Sequence, residues 1–240
     1  MVKYITISSD DSHYIDYYQT VAKRWKILGY KTYFLHVTNE ESVVENEYGI
    51  YHKIKLLENI PSSLQAQIIR LYACNLFEGI MITSDIDMLP IVKEYYSSYD
   101  DLLNDNIIVF SGQPYRELPY YPMCYIMSET KYLSNVLGIT GMDFKTYCDY
   151  VIKNHGETWN TDEKFLYEKT LNTNIIIKHR TTTDRIDRSN WNYDSGRLIN
   201  NEYIDSHLLK PYKEHENEIQ KLIYTLKQIE NNEANNFNSF

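Results

Sequence analysis

The chain has 240 residues, 43% of them hydrophobic, enough for a buried core in one domain or at most two. Its 33 acidic residues outnumber 24 basic ones and the net charge is -9, which argues against a nucleic-acid-wrapping protein. Any anionic ligand must be met by locally placed cations.

Along the chain, "YITIS" (4–8) is a β-branched run that predicts a strand. The helical spacing of Tyr14, Tyr17, Tyr18, Val21 and Trp25 follows, with Gly29 as its stop, and "TYFLHV" (32–37) predicts the next strand. Strand, helix and strand in this order favour a parallel sheet with a right-handed crossover. The rhythm repeats with a strand over 49–57, a helix from Pro61 to about Phe77 and an apolar strand over 79–83. Strands are predicted again over 106–112 and 123–128, flanking the loop "QPYRELPYYP". Helices are expected over 131–137 and 144–153, and a strand over 174–180 precedes a long charged loop. Ile219, Leu222, Ile223, Leu226 and Ile229 form one apolar stripe on a final helix (about 214–230), and residues 231–240 read as a flexible tail.

Cys74, Cys124 and Cys148 lie far apart and are odd in number, so neither a disulfide framework nor a CxxC metal knuckle is indicated, and a reducing, cytoplasmic setting is expected. The N-terminus turns polar too soon for a signal peptide, and no apolar run reaches the roughly 18 residues of a membrane span. Phosphate loops of the GxxxxGK[ST] and GxGxxG types are absent. The 24 tyrosines, with abundant Asn, Ile and Lys, point to an AT-rich genome.

Chemistry concentrates at "ITSDIDMLP" (82–90), where Asp85 and Asp87 leave the end of a buried strand. In open α/β sheets ligands bind at that edge. Two carboxylates converging there repel one another unless a hard divalent cation, Mn²⁺ or Mg²⁺, shares them, typically with substrate phosphates completing its shell. The alternative is a turn in which both merely bond the backbone.

Here the sequence resembles the GT-A glycosyltransferases, whose Asp-x-Asp motif holds a metal against the diphosphate of a nucleotide sugar. Other landmarks resemble the glycogenin-like and lipopolysaccharide galactosyltransferase-like branch. The resemblance implies a single α/β domain with a mixed, mainly parallel, Rossmann-like central sheet flanked by helices. It also implies a nucleotide-binding half (about 1–112), an acceptor half (about 113–212) and the closing helix. It makes Asp85, Asp87 and His207 metal ligands. Thr6, Ser8, Asp10, Arg70, Ser84, Asp85 and Lys210 become contacts of the UDP-sugar. In "TWNTDEKFL", Asp162 or Glu163 becomes the base that deprotonates an acceptor hydroxyl of a glycan or glycoprotein.

Each residue has a plainer reading as well. Thr6, Ser8 and Asp10, and likewise Thr161, Asp162 and Glu163, suit helix caps. Arg70 suits an exposed helix face, and Arg180, Arg185 and Arg188 mostly suit solvated pairs with Asp184 and Asp187, with one of them free to contact the leaving phosphate or the acceptor. In "YIDSHLLKPY" the spacing of His207 and Lys210 departs from the branch's pattern. Its retaining chemistry and an acidic base at Asp162 point to opposite stereochemical outcomes. Trp191 and the tyrosines of "QPYRELPYYP" offer rings for sugars. The segment "SDIDM" is also similar to one in small glycosyltransferases of large DNA viruses. Rival readings are an inactive carbohydrate- or protein-binding module with this fold and a metal-dependent nucleotidyltransferase.

Overall fold

Alternation along β1 (Lys3–Ser9) places Ile5 and Ile7 on one side of a sheet and Tyr4 on the other, and each side meets its own apolar layer. This strand lies near the centre of an eight-stranded sheet in the computed structural model, which describes residues 2–112 and 117–237. The helix α1 (Tyr18–Ile27) follows, and Gly29, with φ 86°, ends it by adopting a left-handed conformation. The chain then returns as β2 (Lys31–Thr38), parallel to β1.

Next come β3 (Ser42–Asn46) and β4 (Gly49–Lys55), an antiparallel pair whose turn is held by Asn46, since its Oδ1 accepts from Tyr48 N at 2.8 Å and Gly49 N at 3.2 Å. The helix α2 (Ser62–Tyr72) covers the Tyr33, Leu35 and Val37 face, and β5 (Ile80–Thr83) pairs parallel to β1 on the side away from β2. Strand order thus reverses beside β1, so α1 and α2 lie on opposite faces and a crevice opens at the strand ends.

After β6 (Met88–Pro90) and the short α3 (Glu94–Ser97), β7 (Ile107–Gly112) and β8 (Ile126–Glu129) extend the sheet. Three helices follow, α4 (Thr130–Leu137), α5 (Phe144–His155) and α6 (Thr161–Thr170), and β9 (Ile175–Arg180) closes the edge. The order is β3-β4-β2-β1-β5-β8-β7-β9, parallel except where β3 meets β4 and where β8 meets β5 and β7. This is the mixed, mainly parallel, helix-flanked sheet expected of a GT-A domain.

The segment after β9, read as one charged loop, instead contains β10 (Arg185–Ile186), α7 (Ser195–Ile199) and β11 (Asp205–His207). With β6 they form a second, three-stranded sheet in the order β10-β11-β6. Nor are Arg180 and Arg185 solvated: both pair with Asp205, which is fully buried, at 3.2 Å and 2.7 Å. Burial opposes the charge of all three, and their mutual attraction keeps Asp205 below the ordinary carboxylate range. Last, α8 (Glu216–Phe237) packs Ile219, Leu222 and Leu226 onto the α1 layer, and its helical backbone continues beyond the expected end near 230.

Candidate active site

The strand β5 stops at Thr83, but Ser84 N still donates to Thr6 O at 2.9 Å, holding the chain to β1 as it turns. The turn closes when Met88 N donates to Asp85 O at 3.1 Å, which leaves Asp85 and Asp87 facing one cavity of about 780 Å³. Next, β6 pairs antiparallel with β11, in a register that sets His207 against Met88, while Leu208 N donates to Asp87 O at 2.9 Å. That register is why a histidine 120 positions away in sequence meets Asp87, its Nε2 lying 3.4 Å from Asp87 Oδ2. On its other side, His207 Nδ1 lies 3.4 Å from Asp187.

Asp87 is also bound by Arg188, whose Nη1 lies 2.8 Å from Oδ2. Burial works against its charge, yet His207 and Arg188 outweigh it and hold the carboxyl below the usual range, so Asp87 is ionised. The α2 residue Arg70 takes the other acids: its Nη1 pairs with Asp85, and its Nη2 lies 2.7 Å from Asp162 Oδ2. Gln67, one turn earlier on the same helix, donates to Asp162 Oδ1 at 2.9 Å.

At the start of α6, Asp162 is almost fully buried and Glu163 is 8% exposed. Burial raises the Asp162 carboxyl, against the pull of Arg70 and Gln67. Glu163 makes no ion pair among the described residues: burial, and then the negative charges of Asp162 and Asp85, push it up to about 8 against the weaker pull of Arg70 and the Met123 backbone, and its buried Oε2 has no hydrogen-bond partner among those residues. On the opposite side of the crevice, Asp10 accepts from Ser12 N at 3.1 Å and from Ser62 Oγ at 2.8 Å. Those hydrogen bonds overcome burial and lower its carboxyl.

Of the residues nominated from sequence, Ser8, Asp10, Arg70, Asp85, Asp87, Asp162, Glu163 and His207 all line this cavity. Three others do not. Thr6 is enclosed in the sheet and donates its hydroxyl to Ile82 O at 3.3 Å, Ser84 is fully buried, and Lys210 is exposed outside the cavity lining. Trp191 packs with Tyr193 against the α1 layer. In the tyrosine-rich loop, residues 113–116 lie outside the described residues. Sequence reasoning passed over Gln67, Glu157 and Trp159, and it placed Arg188 among solvated pairs; all four line the cavity. Position alone offered a clue to Gln67, one helical turn from Arg70.

Among the described residues no group of three or more His, Cys, Asp or Glu side chains converges on a metal position. The donor types nevertheless suit Mn²⁺ or Mg²⁺: carboxylate oxygen and imidazole nitrogen face each other across 3.4 Å at Asp87 and His207.

No protein-family model and no curated protein matches this sequence. Solved structures do. The galactosyltransferase LgtC in complex with donor and acceptor sugar analogs is 13% identical, with 87% of each chain covered and a TM-score of 0.51. A glycosyltransferase involved in glycosylation of the major capsid of PBCV-1 is 14% identical, over 87% of this chain and 94% of that one, with a TM-score of 0.50. The glycosyltransferase GlyE of Streptococcus pneumoniae TIGR4 is 11% identical, over 86% and 55%, with a TM-score of 0.52. At these identities the likeness is one of backbone architecture, and the fold of this chain is that of the glycosyltransferases.

Proposed function

We propose that the protein is a metal-dependent glycosyltransferase that moves a sugar from a UDP-sugar or related nucleotide sugar to a hydroxyl of a glycan or protein-linked acceptor. The observation that carries this reading is the meeting of Asp85, Asp87, His207, Arg70, Arg188 and Glu163 in one cavity at the sheet's switch point. The fold shared with glycosyltransferases supports it.

Transfer breaks the bond between the sugar and the diphosphate, so negative charge grows on the departing phosphate oxygens. Preorganised cations stabilise that charge, and Arg70 and Arg188 supply two at the cavity wall. Asp85, Asp87 and His207 would hold the cation, which supplies Lewis-acid stabilisation of the leaving diphosphate. Ser8 and Asp10 line the cavity by the end of β1, where the nucleoside is expected.

Of the two acids of α6, Asp162 is committed to Arg70 and Gln67 and acts as a positioning group. Glu163 is the base: its carboxylate, at the cavity wall, takes the acceptor hydroxyl proton as the acceptor oxygen bonds the anomeric carbon and UDP leaves. A carboxyl with so high a proton affinity is a stronger base, once ionised, than an ordinary one.

Thermal unfolding with UDP and Mn²⁺ tests the reading. Ligand at about 100 times its dissociation constant adds roughly 2.7 kcal/mol. Asp87→Ala is expected to abolish both this gain and turnover of nucleotide sugars, whereas retained turnover would remove Asp87 from the site.

A further inference from the structure

The most exposed aromatic side chain at the cavity takes no part in the chemistry above. Trp159 lines the cavity, yet 72% of it is exposed. A tryptophan is among the largest apolar surfaces a protein can leave in water, and one left exposed at the rim of a cavity suits a ligand. Its backbone is fixed. The Thr161 side chain is buried, with Oγ1 2.9 Å from Gly156 O and 2.8 Å from Thr158 O, and it accepts from Thr158 N at 2.9 Å. Gln67 donates to the Trp159 carbonyl, so the amide that holds Asp162 also holds this residue. Tyr120 stands edge-on to the indole, with ring centres 6.2 Å apart at 83°.

The neighbouring charges decide what the indole can receive. Glu157, Asp162 and Glu163 lie within six positions of it and line the same cavity. Of these, Asp162 and Glu163 are buried, whereas Glu157, with Thr158 next to it, is exposed beside the indole and offers oxygens to hydroxyl donors. A pyranose has an apolar C–H face matched to an indole and a rim of hydroxyls matched to acids. We infer that Trp159 is the stacking platform of an acceptor subsite for a pyranose ring, with Glu157 and Thr158 bonding its hydroxyls. The acceptor role rests on the transferase reading; the pyranose contact does not.

Saturation-transfer NMR from the protein to the methyl α- and β-pyranosides of glucose, galactose and mannose, each with and without UDP, tests it. Expected is transfer to the C–H protons of one ring face, lost in Trp159→Ala, reduced in Trp159→Phe and kept in Trp191→Ala. UDP-dependent thermal stabilisation is expected to be unchanged in Trp159→Ala. Transfer to none of the pyranosides, or transfer surviving Trp159→Ala, overturns the subsite. Loss of UDP stabilisation in that variant overturns it too, by assigning the indole to the nucleotide. Absence of UDP stabilisation in the unaltered protein defeats the transferase reading instead, and pyranoside transfer that depends on Trp159 then stands by itself.

Discussion

The guanidinium of Arg70 lies 2.7 Å from the Asp162 carboxylate and bonds Asp85 with its other nitrogen, so one side chain ties α2 to the start of α6 and to the end of β5. Asp162 is 1% exposed, and stripping its cation leaves a buried charge unpaired. Arg70→Ala is therefore expected to cost about 3–5 kcal/mol in urea unfolding. Asp162→Asn, which keeps an oxygen for Gln67, costs less and leaves UDP binding intact while slowing transfer. Equal loss of binding and transfer in Asp162→Asn would show that the residue serves only the fold.

Glu163 makes stability depend on pH in a defined direction. Its carboxyl moves from 4.5 to about 8 on folding, so between those values the folded chain holds a proton that the unfolded chain has released. Below the lower value there is no difference. Stability then falls as pH rises, by at most about 1.4 kcal/mol per unit, and levels off above the higher value. Glu163→Gln is expected to flatten this dependence, matching the parent at pH near 4 and exceeding it at pH 7.5. Parallel curves for the two proteins would place the raised carboxyl elsewhere. Transfer by the parent is expected to rise with pH through the same upper limb, as the base ionises.

Arg188 neutralises Asp87 from 2.8 Å, where a bound cation would compete with it. In Arg188→Ala the metal-free protein is expected to lose about 1–3 kcal/mol. Mn²⁺ should then raise the melting midpoint of the variant by more than it raises that of the parent. An equal rise in both would show that the arginine and the metal do not share Asp87.

Gly49 opens β4 with φ 138°, and a Cβ there would run into the Thr32 backbone of β2. Gly49→Ala is expected to destabilise by more than about 2–3 kcal/mol, because backbone cannot move aside as a side chain can. Gly138→Ala is the comparison: φ is 69° but no atom lies within 4 Å of the added carbon, so only the left-handed strain of about 1–2 kcal/mol remains. Calorimetric midpoints separate the two.

The central strands and helices were legible because each buries a face, and burial writes a period into the sequence. Ile5 and Ile7, or Phe34 against Tyr33 and Leu35, alternate between two apolar layers as a strand must. The strand β3 left no such signal: all five residues are exposed, and Val43 and Val44 stand side by side in solvent. Elements as short as β10 and β11 are fixed by pairing, not by local preference, so Arg185 read as a surface charge until Asp205 stood beside it. The acidic pair stood out at the end of a buried strand and His207 was nominated through the family resemblance, whereas the pairing of Arg188 with Asp87 left no sign in either. Local spacing carries no record of a partner 101 positions away.

That separation has a consequence for biosynthesis. At roughly 5–20 residues per second, Asp87 leaves the ribosome several seconds before Arg188 and His207 exist. During that interval the acidic turn has neither of those two counter-charges, so the nascent amino-terminal half must tolerate it in water. The crevice can therefore close around Asp87 only after synthesis has passed position 207.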